Sequence, residues 1–320
     1  MFSFNRPGIT KAVATIAAVL AAHISVVSLA PSASSQPISA NEVQRGIVYT
    51  GQGRSPMKLD LYLPKGNDAA LRPLVIYIHG GGFTSGDRTN LGAPLPWGTV
   101  ESNANELNAR GYAVASIDYG LAPANQWPAP LFHVKAAVRW LRANAANYRI
   151  DQDRFAAWGD SAGGYFATML GVTGGVAELE GQDGTPGVSS RVQAVADWFG
   201  PSDFVTMQEQ TVIGLPHDVG SPEHLYLGCA PSACRDTART ASPVTYADRD
   251  DAPVLIQHGA LDHIVPIGQS VELAGVLTKA GVQHQFHTYQ GADHEFAGFV
   301  DMRAIKQTFY EFLDSTLRRR

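Results

Sequence analysis

The spacing of apolar positions changes repeatedly along the chain, and each change marks an element. Segments 43–49 and 58–63 alternate or run apolar on either side of Gly51, Gly53 and Pro56, the pattern of a β-hairpin. Residues 74–79 and 112–117 are continuous apolar runs, the mark of strands buried on both faces. Residues 154–158, 192–199, 254–258 and 283–289 read as further strands. Between them the period lengthens. Leu131, Val134, Val138 and Leu141 recur at helical spacing within 130–144, with Pro130 suited to the first turn. Segment 101–110 is helical and stopped by Gly111, 161–170 and 301–317 are helical, and 267–280 ends at Gly281. Strands and helices in alternation predict an α/β fold with a mainly parallel sheet covered on both faces.

Two stretches break the alternation. Residues 174–191 are rich in Gly and polar side chains and read as a surface loop. Residues 201–251 are long, carry scattered prolines and hold Cys229 and Cys234. Loops of that length are usually functional, so this one is expected to form a small lid over a binding site.

Composition narrows the class without changing the fold. Hydrophobic residues make up 45% and charged residues 17% of 320, enough for one large buried core. The net charge of −5 comes without a basic stripe, which argues against nucleic acid as a partner, and Arg318 to Arg320 read as a solvated tail. At the other end Arg6 and Lys11 precede an apolar stretch at 12–30 and small residues at 31–35. That order predicts a secretory signal peptide over 1–38, cleaved between Ala33 and Ala40. The stretch is slightly long for a signal, so an uncleaved membrane anchor is the alternative. A secreted or periplasmic protein with no stable membrane span after processing is expected. In an oxidising compartment Cys229 and Cys234 would close a local disulfide. No second pair or His-x-x-His completes a metal site around them, and no metal is expected.

Candidate chemistry clusters at strand ends. Gly159-Asp160-Ser161-Ala162-Gly163 fits Gly-x-Ser-x-Gly between a predicted strand and a predicted helix. The glycines let the backbone turn sharply, which would hold Ser161 above the sheet at a helix N-terminus. After the first buried strand comes His79-Gly80-Gly81-Gly82-Phe83, a loop whose amides can face an oxyanion. Gly81 and Gly82 are assigned as donors, with the amide of Ala162 as the third. The loop lacks the Lys and Ser/Thr of a phosphate-binding P-loop. A serine nucleophile needs a base, and the base an orienting carboxylate. His294 lies in a loop between the last strand and the last helix and is the expected base, whereas His284, His287 and His258 fall in or beside strands. Asp262 follows the 254–258 strand and is the expected acid. Asp203 is the runner-up, Asp250 and Asp251 lie at the wrong end of that strand, and Asp293 adjoins His294 too closely.

Taken together, these motifs resemble the bacterial hormone-sensitive-lipase-like carboxylesterases and the related short α/β-hydrolases of the feruloyl-esterase and arylformamidase type. The resemblance rests on His79 to Phe83, Asp118-Tyr119 with Leu121-Ala122-Pro123, and Ala136-Ala137-Val138-Arg139-Trp140-Leu141. Gly159 to Gly164, His258-Gly259, Asp262, Val265-Pro266 and His294 complete it. It implies an α/β-hydrolase fold over 39–320, a triad of Ser161, Asp262 and His294, an oxyanion hole of Gly81, Gly82 and Ala162, and no cofactor. The implied activity is hydrolysis of a small or aromatic carboxylic ester through an acyl-enzyme. Amidase, arylformamidase or peptidase action with the same triad is the alternative, and an inactive binding module a third reading. Two positions depart from the pattern: Gly120 stands where arginine is common, and His133 where aspartate is frequent. The long N-terminal helical cap of the lipase-like branch is also missing, which points to the shorter relatives. Phe83, Trp97 and Trp127 suit either an aromatic pocket or ordinary packing.

Overall fold

Eight strands form one sheet in the order β1-β2-β4-β3-β5-β6-β7-β8. A computed structural model supplies the coordinates and describes residues 42–51, 56–65, 70–90, 95–211, 214 and 216–318. The signal-peptide segment, the hairpin tip at 52–55, Arg319 and Arg320 lie outside the described residues. The described residues belong to one unit, Ala40–Arg320.

Strand β1 (Glu42–Thr50) pairs antiparallel with β2 (Met57–Leu63), and β2 pairs antiparallel with β4 (Ala113–Ile117). From there β3 (Arg72–Ile78), β5 (Ile150–Asp160), β6 (Ala194–Trp198), β7 (Val254–Gly259) and β8 (His284–Tyr289) are parallel neighbours. The continuous apolar runs are explained by two cores, one on each face of the sheet. Leu74, Ile76 and Ile78 point to one, Val75 and Tyr77 to the other, as period-two alternation requires.

Helices α2 (Ala129–Ala143), α3 (Ala162–Val172) and α7 (Gly268–Ala280) cover the first face with Leu131, Val134, Phe166, Leu170, Leu273 and Leu277. The second face is covered by α1 (Val100–Ala109) and α8 (Met302–Leu317), through Val100, Leu107, Ile305, Phe309 and Leu313. Boundaries follow local chemistry. Thr99 caps α1 by accepting from Ser102 N, Asp301 caps α8 by accepting from Ala304 N, and α7 stops where Gly281 turns left-handed.

The described residues of both irregular stretches make defined contacts. The 174–191 loop is anchored from beneath: Lys135 Nζ donates to Thr173 O and Glu180 Oε1, and Arg139 to the carbonyls of Glu180 and Asp183. Among the described residues of 201–251 there are three short α-helices, α4 (Met207–Gln210), α5 (Pro222–Leu227) and α6 (Arg235–Thr240). The Cys229–Cys234 disulfide links α5 to α6. Aromatic packing fastens α5 downward, since Tyr226 stacks on Phe83 with centroids 4.3 Å apart and touches Tyr165, Phe166 and Phe204. Gly120 and His133, the two departures from the family pattern, meet each other: Gly120 N–H donates to His133 Nδ1 at 3.1 Å. A Cβ at position 120 would lie 2.8 Å from the His133 ring, so the pair affects packing at this spot.

Candidate active site

The turn from β5 into α3 sets the position of Ser161. Its backbone sits at φ 54° and ψ −120°, a strained conformation for a residue with a Cβ. Close packing makes the strain unavoidable: a Cβ on Gly163 would collide with the carbonyl of Ile78, and one on Gly159 with the backbone of Gly163. The amide of Ser161 donates to Trp198 O at 2.8 Å, tying the turn to the end of β6. Its side chain is thereby lifted off the carboxyl end of the sheet.

Two neighbouring strands supply the partners. His294, in the loop after β8, brings Nε2 to 3.1 Å from Ser161 Oγ. Its Nδ1 lies 2.8 Å from Oδ2 of Asp262, in the loop after β7. The imidazole packs edge-on against Phe199 at 4.8 Å, and Asp293 holds its loop by accepting from His294 N–H at 2.6 Å. Asp262 has a fully buried side chain with four donors around it. Oδ1 accepts from the amides of Ile264 at 2.9 Å and Val265 at 2.8 Å, while Oδ2 faces His294 and also His258 Nε2 at 3.2 Å. Burial would raise the Asp262 carboxyl, but the hydrogen bonds from His258 and His294 outweigh it and hold it well below the usual carboxylate range. For His294 burial pulls the imidazole down. The hydrogen bond and charge of Asp262, aided by Glu295 and Asp293, carry it above its ordinary value.

A cavity of about 300 Å³ opens over this chain of groups. Gly81, Gly82, Phe83 and Ala162 line it with Ser161 and His294, so the glycine loop after β3 and the start of α3 face the same space. Amides in a first helical turn have no intrahelical acceptor, which makes Ala162 N–H available to an incoming oxygen. The loop conformation needs its glycines: Gly81 has φ 108°, and a side chain there would strike Ser85 O. His79 lies behind the loop, stacked on Tyr119 with centroids 4.3 Å apart and with Nδ1 2.7 Å from Gly80 O. The 201–251 segment contributes Pro201, His217, Pro222 and Glu223 to the cavity, and the loop after β7 adds Ile264 and Val265. A larger hollow of about 410 Å³ along the 174–191 loop has Ser190 donating to Glu180 at 2.8 Å, but no histidine lines it.

Other expected or rejected residues fall elsewhere. Asp203 caps its own turn by accepting from Val205 N at 2.7 Å and does not reach His294. Asp293 pairs with the exposed His263 at 2.6 Å. His284 and His287 make local contacts along β8 with Val282 and Gln285. Of the three aromatics, Phe83 lines the cavity, Trp97 is buried among Tyr77, Trp158 and Trp198, and Trp127 packs on Tyr226. Sequence reasoning places His258 in the core but misses its contact with Asp262, four residues on. It also misses His217, Glu223 and Glu295 as cavity residues. Among the described residues no group of three His, Cys, Asp or Glu side chains is placed to hold a metal ion, and no helix is long and apolar enough to cross a membrane.

The BD-FAE family profile matches residues 59–277, a span from β2 to α7 that includes Ser161 and Asp262. The chain belongs to the BD-FAE family. Its relatives are in keeping with the resemblance in the motifs. Esterase LipQ of Mycobacterium tuberculosis is 28% identical over 253 residues, covering 78% of this chain and 56% of LipQ. Esterase LipC of the same organism is 26% identical over 261 residues, covering 78% of this chain and 61% of LipC. The chain thus spans little more than half the length of these two relatives. Among solved structures, a truncated carbohydrate esterase from gut microbiota superposes with a TM-score of 0.75 at 31% identity, covering 87% of this chain and 98% of that one. Esterase Est2 of Thermogutta terrifontis gives 0.67 at 25% identity, covering 87% and 93%. The BD-FAE chain therefore has the α/β-hydrolase fold of esterases.

Proposed function

We propose that this BD-FAE protein is a serine carboxylesterase acting on small esters through an acyl-enzyme. The observation that carries the reading is the unbroken hydrogen-bonded chain from Ser161 through His294 to Asp262, opening on a cavity rimmed by Gly81, Gly82 and Ala162.

In this mechanism Ser161 Oγ attacks the ester carbonyl while His294 Nε2 accepts its proton. Asp262 keeps the Nδ1–H tautomer and stabilises the imidazolium. The carbonyl oxygen becomes an oxyanion facing the amides of Gly81, Gly82 and Ala162, a kind of contact worth about 3–4 kcal/mol per donor in the transition state. His294 then returns the proton to the departing alcohol. Water, activated by the same base, releases the acid. A cavity of about 300 Å³ lined by Phe83, Pro201, Ile264 and Val265 suits a short acyl group. We further infer export, since the leader and the Cys229–Cys234 bond both fit an oxidising compartment. Mass analysis of the mature N-terminus checks that part.

The main test is hydrolysis of p-nitrophenyl esters of increasing acyl length by wild type and Ser161→Ala. The expected outcome is a short-chain optimum and a loss of kcat by several orders of magnitude in the mutant. Amide activity above ester activity in a matched pair would replace esterase by amidase.

A further inference from the structure

Two polar side chains in the cavity are not used by the mechanism above. His217 and Glu223 come from the 201–251 segment, are 3% and 5% exposed, and line the same cavity as Ser161 and His294. His217 Nδ1 lies 3.3 Å from Glu223 Oε2, within ion-pair range. The groups are nevertheless misaligned. Both ring nitrogens of His217 and Oε2 of Glu223 are buried without a hydrogen-bond partner among the described residues. A buried donor or acceptor left without a partner keeps its full desolvation penalty, so folding does not favour such a placement for its own sake.

The surroundings nonetheless hold both groups there. The backbone N–H of His217 donates to Gln208 Oε1 at 2.6 Å. Glu223 follows Pro222 in α5, and Pro222 rests against the oxyanion loop, 3.3 Å from where a Cβ on Gly82 would stand. Ser221 fixes the start of α5 by accepting from His224 N–H, and Tyr226 clamps its far end onto Phe83. Glu223 is thus set against the same loop that faces the reacting carbonyl. The proton path does not require either group, because His294 already has Asp262 and Ser161 as its partners.

We propose that His217 and Glu223 form a two-point site for a hydroxyl group of the ester substrate. The hydroxyl donates to Glu223 Oε2 and accepts from a ring N–H of His217. A hydroxyl is donor and acceptor at once, which matches one carboxylate and one imidazole. An apolar group would leave both unpaired, and an anionic one would face Glu223. The assignment rests on the serine-esterase reading and adds to it a preference for hydroxylated esters. Sites built to hydrogen-bond a substrate hydroxyl discriminate strongly against the analogue without it.

Matched substrates test this. On the alcohol side, 2,3-dihydroxypropyl acetate is compared with propyl acetate; on the acyl side, ethyl lactate with ethyl propionate. Ethyl alaninate supplies an ammonium in place of the hydroxyl. In wild type the hydroxylated member of one pair is expected to show kcat/KM higher by about 10- to 100-fold. In His217→Phe and Glu223→Leu that ratio collapses toward one, and Glu223→Gln, which keeps the shape and one acceptor, holds an intermediate ratio. Thermal melting of each variant identifies any that fail to fold, and the Gln variant then carries the comparison. Flat ratios in wild type, ratios unchanged by the substitutions, or alaninate outrunning lactate would each overturn the proposal. Labelling of Ser161 by a fluorophosphonate separates the levels. Labelled enzyme with flat ratios removes only the hydroxyl site, whereas unlabelled, inert enzyme removes the esterase reading and this proposal with it.

Discussion

Replacing Asp262 by Asn tests its proposed role as the orienting carboxylate. In the native site Oδ1 takes the amides of Ile264 and Val265, and Oδ2 takes His294 and His258. An amide accepts through its oxygen alone. The two backbone donors are fixed, so the oxygen of the substituted side chain stays with them and its NH₂ turns toward both imidazoles. His294 must then present a lone pair at Nδ1 and carry its proton on Nε2, where it cannot accept from Ser161. Loss of an orienting carboxylate in this way lowers kcat about 10⁴-fold, which corresponds to roughly 5 kcal/mol of transition-state stabilisation. The pH profile should move as well. Asp262 raises His294, and the base works only when neutral, so the acid limb of kcat/KM should shift to lower pH in Asp262→Asn. The assay is kcat/KM for p-nitrophenyl acetate from pH 4 to 9, with circular dichroism and melting to exclude misfolding. Asp203→Asn and Asp293→Asn serve as controls and should cost less than about tenfold, a margin set by their lack of contact with the imidazole ring. A folded Asp262→Asn enzyme within tenfold of wild type would refute the reasoning, as would an equal loss in Asp203→Asn.

Three further perturbations address the scaffold. Gly163→Ala places a methyl group against the Ile78 carbonyl, a backbone atom that cannot swing aside, and should destabilise by about 3 kcal/mol or more, read as a lower urea midpoint or loss of soluble protein. Burial pushes the Asp197 carboxyl up to about 6 despite hydrogen bonds from Gly200 and Thr168. Because that value exceeds the unfolded one of about 3.9, the folded state binds the extra proton between them, and stability falls by on the order of 3 kcal/mol as pH rises from 4 through 6. Asp197→Asn should flatten that fall and match or exceed wild type at pH 7; a variant weaker than wild type at pH 8 by as much as at pH 4 contradicts the assignment. Opening the Cys229–Cys234 bond by double Ser substitution releases a loop of sequence separation 5. Chain entropy puts the cost at about 2 kcal/mol, measured by urea denaturation. A loss well above that would mean the bond also holds native packing between α5 and α6.

Much of this architecture was legible from period alone, because a sheet buried on both faces writes its strands as uninterrupted apolar runs. Residues 74–79 and 112–117 carry that mark, and they correspond to β3 and β4. Strand β5 is longer than expected, since Asp151, Gln152 and Asp153 disguise its first half as polar loop. Helices α4 to α6 escaped notice because four to six residues are too few to display a helical period. At the site, the placement of Ser161, His294 and Asp262 at strand ends could be reasoned from chain order. The second imidazole on Asp262 could not, because it depends on the 262–265 turn folding the carboxylate back over the end of β7. His217 and Glu223 were invisible for a different reason. In a segment with scattered prolines, isolated polar residues look like solvated loop, and it is the packing of Pro222 and Tyr226 on the glycine loop that sets Glu223 at the cavity. Trp97 shows the converse, a loop aromatic drawn into the core beside Trp158 and Trp198.

The insertion between β6 and β7 has a consequence for how this protein can change. The proposed nucleophile, base and acid and the glycine loop all come from outside it, while Pro222, Glu223 and His217 come from inside it. On the proposed reading, reactivity and the hydroxyl preference are therefore written in separate stretches of the gene, joined at the stacked rings of Phe83 and Tyr226. An exchange of residues 201–251 between relatives, with that ring pair preserved, would transplant the hydroxyl preference as a cassette while leaving Ser161, His294 and Asp262 in place. Drift within the cassette is then free to explore new substrates without first passing through a dead enzyme.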